Sequence, residues 1–228
     1  MRVTAIVLAA GKGERFDAAV PKLLVRIGGK PLIAWSLRQL QRHRGVGDII
    51  VVSSPFIAAR LERLVRASRF TKVRSIVFGG ERRQDSVLQG LGAVGRESGI
   101  VLVHDGARPF VSHGMVTSVL SAAAKHGAAV VGVPVKATIK ESKGAGPVVK
   151  RTLDRSRLWE IQTPQAFRKA VLERAFQRFG KVAVTDDAGL VEKLGVAVRI
   201  VPGRYSNIKV TTREDAQFAR ALVREGAV

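Results

Sequence analysis

The chain has 228 residues, with 39 Lys and Arg against 18 Asp and Glu, a formal net charge of +21, and a length that suits one α/β domain with a sizeable core. A hydrophobic content of 46% excludes disorder as the dominant state, and no apolar run is long enough for a membrane span. Zero cysteines exclude thiol nucleophiles, thiolate metal sites and disulfides, and set a cytoplasmic location as the expectation.

The charge puts a polyanion first among partners, with nucleic acid as one candidate. The basic residues are nevertheless scattered, and 5% aromatic residues leave few stacking platforms for single strands. The densest basic cluster, Arg38, Arg42, His43 and Arg44, reads as a solvated helix face. The four histidines, 43, 104, 113 and 126, show no metal-ligand spacing.

The opening residues, with a short apolar stretch running into charge, read as a first strand over Val3–Leu8 and not as a signal peptide. Further Val- and Ile-rich runs at Ile49–Val52, Ser75–Phe78, Ile100–Val103 and Ala129–Val133 predict buried parallel strands. Between them Leu32–Gln41, Ile57–Ala67, Ser86–Val94 and Gly114–Lys125 have helical patterning. This alternation predicts a doubly wound, mostly parallel sheet with helices on both faces, a Rossmann-like α/β fold. In such sheets ligands bind beyond the carboxyl ends of the strands.

From Lys136 to Arg151 the alternation breaks into two short polar strands around Gly-Ala-Gly-Pro, which predicts a β-hairpin arm at about 136–152. A two-stranded ribbon is marginal alone, so a second subunit is the expected support. Thr163-Pro164 reads as an N-cap followed by Pro at the first helical position. Val196–Val201 reads as a strand, and Thr212 with Asp215 as a capping box opening the last helix. With no repeat or linker, residues 1–228 are expected to form a single domain carrying the arm.

The first strand runs into Ala9-Ala10-Gly11-Lys12-Gly13-Glu14-Arg15, followed by Pro21-Lys22. Small residues here let backbone N–H groups approach a phosphate. An ordinary glycine-rich turn is the competing reading, and Arg15 and Lys22 favour a polyphosphate. The dinucleotide pattern fails at Phe16, and the P-loop pattern fails because Gly29-Lys30 is followed by Pro31.

Further motifs follow in order. They are Gly79-Gly80-Glu81-Arg82-Arg83-Gln84-Asp85-Ser86, His104-Asp105-Gly106-Ala107-Arg108-Pro109, Thr138-Ile139-Lys140, Arg155 to Trp159, Gln162-Thr163-Pro164-Gln165, Thr185-Asp186-Asp187 and Asn207-Ile208-Lys209-Val210-Thr211. With the first loop, they resemble the nucleotidyltransferases that attach a nucleoside monophosphate to a polyol phosphate. Within these they are most similar to the 2-C-methyl-D-erythritol 4-phosphate cytidylyltransferase family of the non-mevalonate isoprenoid pathway.

The resemblance implies CTP and methylerythritol phosphate as substrates, Mg²⁺ as the metal and a homodimer formed through the arm. It implies neither a membrane nor a specific nucleic-acid partner. Arg15, Lys22, Arg155 and Lys209 would be catalytic: the first two on the triphosphate, the last two on the attacking phosphate. Ala9, Ala10, Gly11, Gly13, Gly80, Glu81, Arg83 and Ser86 would bind the nucleotide. Asp105, Arg108, Thr138 and Thr185 would bind the acceptor, with Asp105 also at the metal.

Taken singly, several of these have plainer readings. Ser86 and Asp105 suit helix or turn caps, Arg108 a turn, and Lys209 a solvated charge. Another acceptor, such as ribitol 5-phosphate, would need similar phosphate-handling motifs. The residue before Thr138 is Ala137, where the family usually has Asp.

Overall fold

Strand runs of Val and Ile without a polar alternation require cover on both faces of the sheet, and the chain provides it. A computed structural model describes residues 1–11, 16 and 21–226. Strand β1 (Arg2–Ala9) leads to a short 3₁₀ turn at Lys22–Leu24 and a small hairpin of β2 (Arg26–Ile27) and β3 (Lys30–Pro31). Next come α1 (Leu32–Arg42), β4 (Asp48–Ser53), α2 (Pro55–Ala67), β5 (Val73–Phe78), α3 (Arg83–Gly92) and β6 (Ser98–Asp105). After these come α4 (His113–His126), β7 (Ala128–Pro134), the arm strands β8 (Lys140–Ser142) and β9 (Val149–Thr152), and β10 (Trp159–Arg168). The chain continues through α5 (Lys169–Phe179), α6 (Asp187–Lys193), β11 (Arg199–Pro202) and α7 (Arg213–Arg224).

Seven strands form one sheet in the order β11-β7-β10-β6-β1-β4-β5. Only β10 runs antiparallel to its neighbours. Alternate residues of the same strand enter two different cores. Ala5, Val7, Ile49, Val51, Ile100 and Leu102 pack with α1, α2, α4 and α7. Ile6, Ile50, Val52, Val101 and Val103 pack with α3, α5 and α6. The doubly wound expectation therefore holds, and so do the arm and the capping box of Thr212 with Asp215.

The order also defines where a ligand fits. From β1 the chain moves to β4 and β5 on one side, then crosses back to β6 on the other. The carboxyl ends of β1 and β6 therefore flank the switch point, the place where sheets of this kind bind ligands. Leu8 is in register with Asp105, so the two loops begin level with each other.

Five expectations need correction. The Ser75–Phe78 run is not buried: β5 is an edge strand, and Phe78 is 59% exposed. Thr163-Pro164 does not open a helix but lies within β10, where the ladder to β7 shifts between Gln162 and Gln165. A proline without an N–H is tolerated at such an irregularity, and the next helix starts at Lys169. Ser86 is not a cap, because Arg82 is the N-cap of α3 and Asp85 accepts the hydrogen bond from its backbone N–H.

His43 does not belong to a solvated face. Its Nδ1 accepts from the Gly45 N–H at 3.1 Å and its Nε2 pairs with Thr117 Oγ1 at 3.0 Å, and it is buried. Finally, the strand expected at Val196–Val201 forms only over Arg199–Pro202.

Candidate functional site

The site is built at the carboxyl end of β6. Asp105 is its last residue, and three cations from three other places in the chain converge on that carboxylate. Lys209 Nζ lies 2.8 Å from Oδ2, Arg83 Nε 3.6 Å from Oδ1, and Arg108 Nε 4.0 Å from Oδ2. Burial alone would raise the Asp105 carboxyl. The charges of Lys209, Arg83 and Arg108 outweigh it and hold the group down at about 2, so it is ionised at neutral pH.

A buried hydrogen-bond chain fixes this strand end. The Asp105 backbone N–H donates to Thr163 Oγ1 at 3.0 Å, and Thr163 pairs with His104 Nδ1 at 3.1 Å. His104 Nε2 faces the Arg108 carbonyl at 3.1 Å. A carbonyl only accepts, so Nε2 carries the hydrogen and Thr163 donates to Nδ1. Burial lowers the His104 imidazole to about 4, which keeps it neutral for this role. On the other side, Ser36 Oγ of α1 donates to the carbonyls of Gly106 and Arg108.

Lys209 is brought in by its neighbours. Asn207 Nδ2 donates to Gln162 Oε1 at 2.9 Å and to the Thr163 carbonyl at 3.0 Å. Arg108 Nη1 donates to the Asn207 carbonyl at 2.7 Å, and the Val210 N–H to the Ala107 carbonyl at 2.9 Å. The segment is thus laced to both β10 and the loop after β6. A cleft of about 290 Å³, lined by Arg108, Glu160, Gln162, Tyr205 and Lys209, opens beside it.

Arg83 arrives from the first turn of α3. Its Nη1 donates to Asp187 Oδ2 at 2.8 Å, and Asp187 is fully buried at the start of α6. Burial lowers the Arg83 guanidinium, but Asp187 and Asp105 override that and leave it raised. Burial raises the Asp187 carboxyl, with the Arg83 charge pulling against it. Arg83, Arg108 and Lys209 thus stand among the carboxylates of Asp105, Asp187, Asp186 and Glu160, so each cation is held in place by a nearby carboxylate.

Ala10 and Ser86, two of the residues expected on the nucleotide side, meet at Gly79. A Cβ there would lie 2.5 Å from Ala10 Cβ and 2.6 Å from Ser86 Oγ. Only glycine lets the β1 loop, the end of β5 and α3 come this close. Ala9 is buried beneath, while Gly11, Gly80 and Glu81 are exposed.

The other expected residues are more dispersed. Lys22 is half-buried in its 3₁₀ turn. Thr138 is exposed at the base of the arm, near Arg155, whose Nη1 donates to the Lys136 carbonyl at 2.6 Å. Thr185 is exposed just before Asp186, the N-cap of α6. Gly13 and Arg15 lie outside the described residues.

Among the described residues no three His, Cys, Asp or Glu side chains form a group able to hold a metal by themselves. A single ionised carboxylate combined with substrate phosphates is nevertheless the donor set that Mg²⁺ takes, and Asp105 fits that part. His104, Thr163, Gln162, Asn207 and Asp187 lie inside motifs yet carry no assignment from the sequence. Their only signal is motif membership, because their partners are remote along the chain.

The family model described as 2-C-methyl-D-erythritol 4-phosphate cytidylyltransferase (IspD) matches residues 3–225. A protein of that name from Geobacillus kaustophilus is 44% identical over 225 residues, covering 98% of this chain and 97% of its own. Its namesake from Pelotomaculum thermopropionicum is 45% identical over 230 residues, covering 98% and 94%. Among solved structures, a 4-diphosphocytidyl-2C-methyl-D-erythritol synthase from Anaerococcus prevotii superposes with a TM-score of 0.87 at 31% identity, covering 98% of both chains. The cytidylyltransferase from Thermus thermophilus gives 0.78 at 33% identity, covering 98% of this chain and 100% of its own.

Proposed function

The chain belongs to the 2-C-methyl-D-erythritol 4-phosphate cytidylyltransferase family, and on that premise we propose how its own residues carry the reaction. The activity is transfer of CMP from CTP to methylerythritol phosphate in the non-mevalonate pathway, giving 4-diphosphocytidyl-2-C-methyl-D-erythritol and pyrophosphate. An acceptor phosphate oxygen forms a bond to the α-phosphorus of CTP, the α–β phosphoanhydride bond breaks, and the bonding pair leaves with pyrophosphate. The nucleophile is already an anion, so no base is required to create it. What the protein must supply is alignment of two repelling phosphates and positive charge that neutralises their repulsion.

The observation that carries this reading is the convergence of Arg83, Arg108 and Lys209 on Asp105 at the switch point of the sheet. Lys209 and Arg155 hold the attacking phosphate, with Asp105, Arg108, Thr138 and Thr185 on the acceptor. Arg15 and Lys22 hold the triphosphate and the departing pyrophosphate. Ala9, Ala10, Gly11 and Gly13 bind the nucleotide's phosphates, and Gly80, Glu81, Arg83 and Ser86 its nucleoside. Asp105 would hold Mg²⁺, which when bound supplies charge neutralisation to the phosphates.

The active unit is a homodimer joined through the arm. In support, β8 and β9 pair only with each other, and Val148 and Val149 are exposed. Apolar groups on an isolated ribbon call for a partner surface. A CTP-dependent reaction and a chain without cysteine support a cytoplasmic location. Among the described residues no helix is long and apolar enough to cross a membrane.

The test is pyrophosphate release with CTP, Mg²⁺ and methylerythritol phosphate, run beside ribitol 5-phosphate. Turnover with the first acceptor and little with the second is expected. Absence of turnover with methylerythritol phosphate at saturation would overturn the assignment.

A further inference from the structure

Four buried side-chain polar atoms have no hydrogen-bond partner among the described residues: Arg108 Nε, Gln165 Oε1, Asp187 Oδ1 and Asn207 Oδ1. Asp187 is the most costly of these. Its carboxylate is fully buried, one oxygen has a single donor, Arg83 Nη1 at 2.8 Å, and the other has none. A carboxylate in that position is a poor choice for stability alone.

Local structure does not call for it either. The N-cap of α6 is Asp186, whose Oδ1 already accepts from the Gly189 N–H at 3.0 Å. Nor does α3 need Arg83, because Arg82 and Asp85 form its capping box. Docking of these segments has a second tie beside the pair. Gln84 Nε2 donates to the carbonyls of Gly180 and Val182, which ties the start of α3 to the chain ahead of α6.

The second clue is the geometry of Arg83. One end of the guanidinium is held by Asp187, while Nε faces Asp105 Oδ1 at the longer distance of 3.6 Å. Asp187 and Asp105 compete for one cation, with Asp186 adding to the field, and the more deeply buried Asp187 holds it more closely. Without Asp187, Asp105 would act most strongly on that guanidinium, ahead of Asp186.

We propose that Asp187 is a positioning residue for the nucleotide, one that restrains Arg83 so that its guanidinium stays available to CTP instead of collapsing onto Asp105. The inference rests on the reading of Arg83 as a nucleotide-side residue. It adds a residue that touches neither substrate and acts wholly through Arg83.

The experiment is calorimetric titration of the full-length protein with CTP, without acceptor, on Asp187→Asn, Arg83→Ala, Arg83→Lys and the Asp187→Asn/Arg83→Ala double variant. Asp187→Asn is expected to weaken CTP binding about tenfold, and to change it less than about twofold in the Arg83→Ala background. The KM for methylerythritol phosphate should stay within about twofold of wild type. Arg83→Lys keeps the charge but not the fork, so it should weaken CTP binding to a similar degree, and it tests the idea should Asp187→Asn not fold. A purely structural role would instead lower the unfolding midpoint and leave CTP affinity unchanged. Wild-type affinity in Asp187→Asn, or a loss that simply adds to that of Arg83→Ala, overturns the inference alone. Wild-type affinity in Arg83→Ala overturns the reading of Arg83 and the inference with it.

Discussion

Lys209 Nζ stands 2.8 Å from Asp105 Oδ2, the shortest of the three cation contacts on that carboxylate. The lysine is therefore a counterion of Asp105, and on the proposed reading an incoming phosphate shares or takes over its charge. Lys209→Ala should lower kcat/KM for methylerythritol phosphate by ~10²-fold, by analogy with removal of one transition-state donor. CTP affinity, measured without acceptor, should change far less. A variant with wild-type acceptor kinetics would remove Lys209 from the chemistry.

On the proposed reading Arg15 and Lys22 act on the triphosphate and the departing pyrophosphate. Each alanine substitution should cut kcat by ~10²–10³ if it removes a group that stabilises charge on the departing pyrophosphate. Single-turnover rates with saturating CTP separate this from weaker binding. Near-normal rates in either variant would contradict its role.

Gly79 has no room for a methyl group, since Ala10 Cβ and Ser86 Oγ would be 2.5 and 2.6 Å from it. Ala10 cannot move without moving the β1 loop. Gly79→Ala should cost about 1–3 kcal/mol of stability through overpacking. It should also raise the KM for CTP more than that for the acceptor. Urea unfolding together with steady-state kinetics checks both, and an unchanged KM for CTP would separate this contact from nucleotide binding.

Deleting Gly144–Pro147 at the tip of the arm removes the turn that joins β8 to β9. If the arm joins two subunits as proposed, light scattering at micromolar protein should report a dimeric mass for the wild type and a monomeric one for the deletion. A deletion variant that keeps the dimeric mass would exclude the arm tip from the interface.

His43 supplies a pH dependence of stability. Burial first, then the charges of His113 and Lys72, lower its imidazole below the ordinary 6.5. The unfolded chain then binds a proton at a higher pH than the folded one does. Stability accordingly falls as pH drops below about 6.5, with the slope set by the extra proton on the unfolded state. Urea midpoints at pH 7.5 and 5.5 should differ more for wild type than for His43→Gln, whose amide can still donate and accept. Equal pH slopes in the two proteins would rule this out.

Most of the sheet was legible because covered strands need continuous apolar runs, and β1, β4, β6 and β7 have them on both alternating faces. β5 misled because its composition matches theirs, and only the strand order shows that it sits at an edge. Thr163-Pro164 misled because local propensity favours a helix start, whereas tertiary pairing placed it in β10 beside Asp105. Ser86 has the residue type of a cap, but the backbone enters α3 four residues earlier, at Arg82.

For the site, the sequence by itself determined the family, the residue types and the strand ends that carry them. Motif order and local periodicity are properties of neighbours along the chain. Only the tertiary structure decided that Asp105 is shared by Arg83, Arg108 and Lys209, and that Asp187 holds Arg83 from a fully buried position. Coulomb attraction and the cost of desolvation depend on distance in space and on what displaces water. Both were set when the strand order reversed between the parallel neighbours β1 and β6 and brought remote segments together at the carboxyl end of β6.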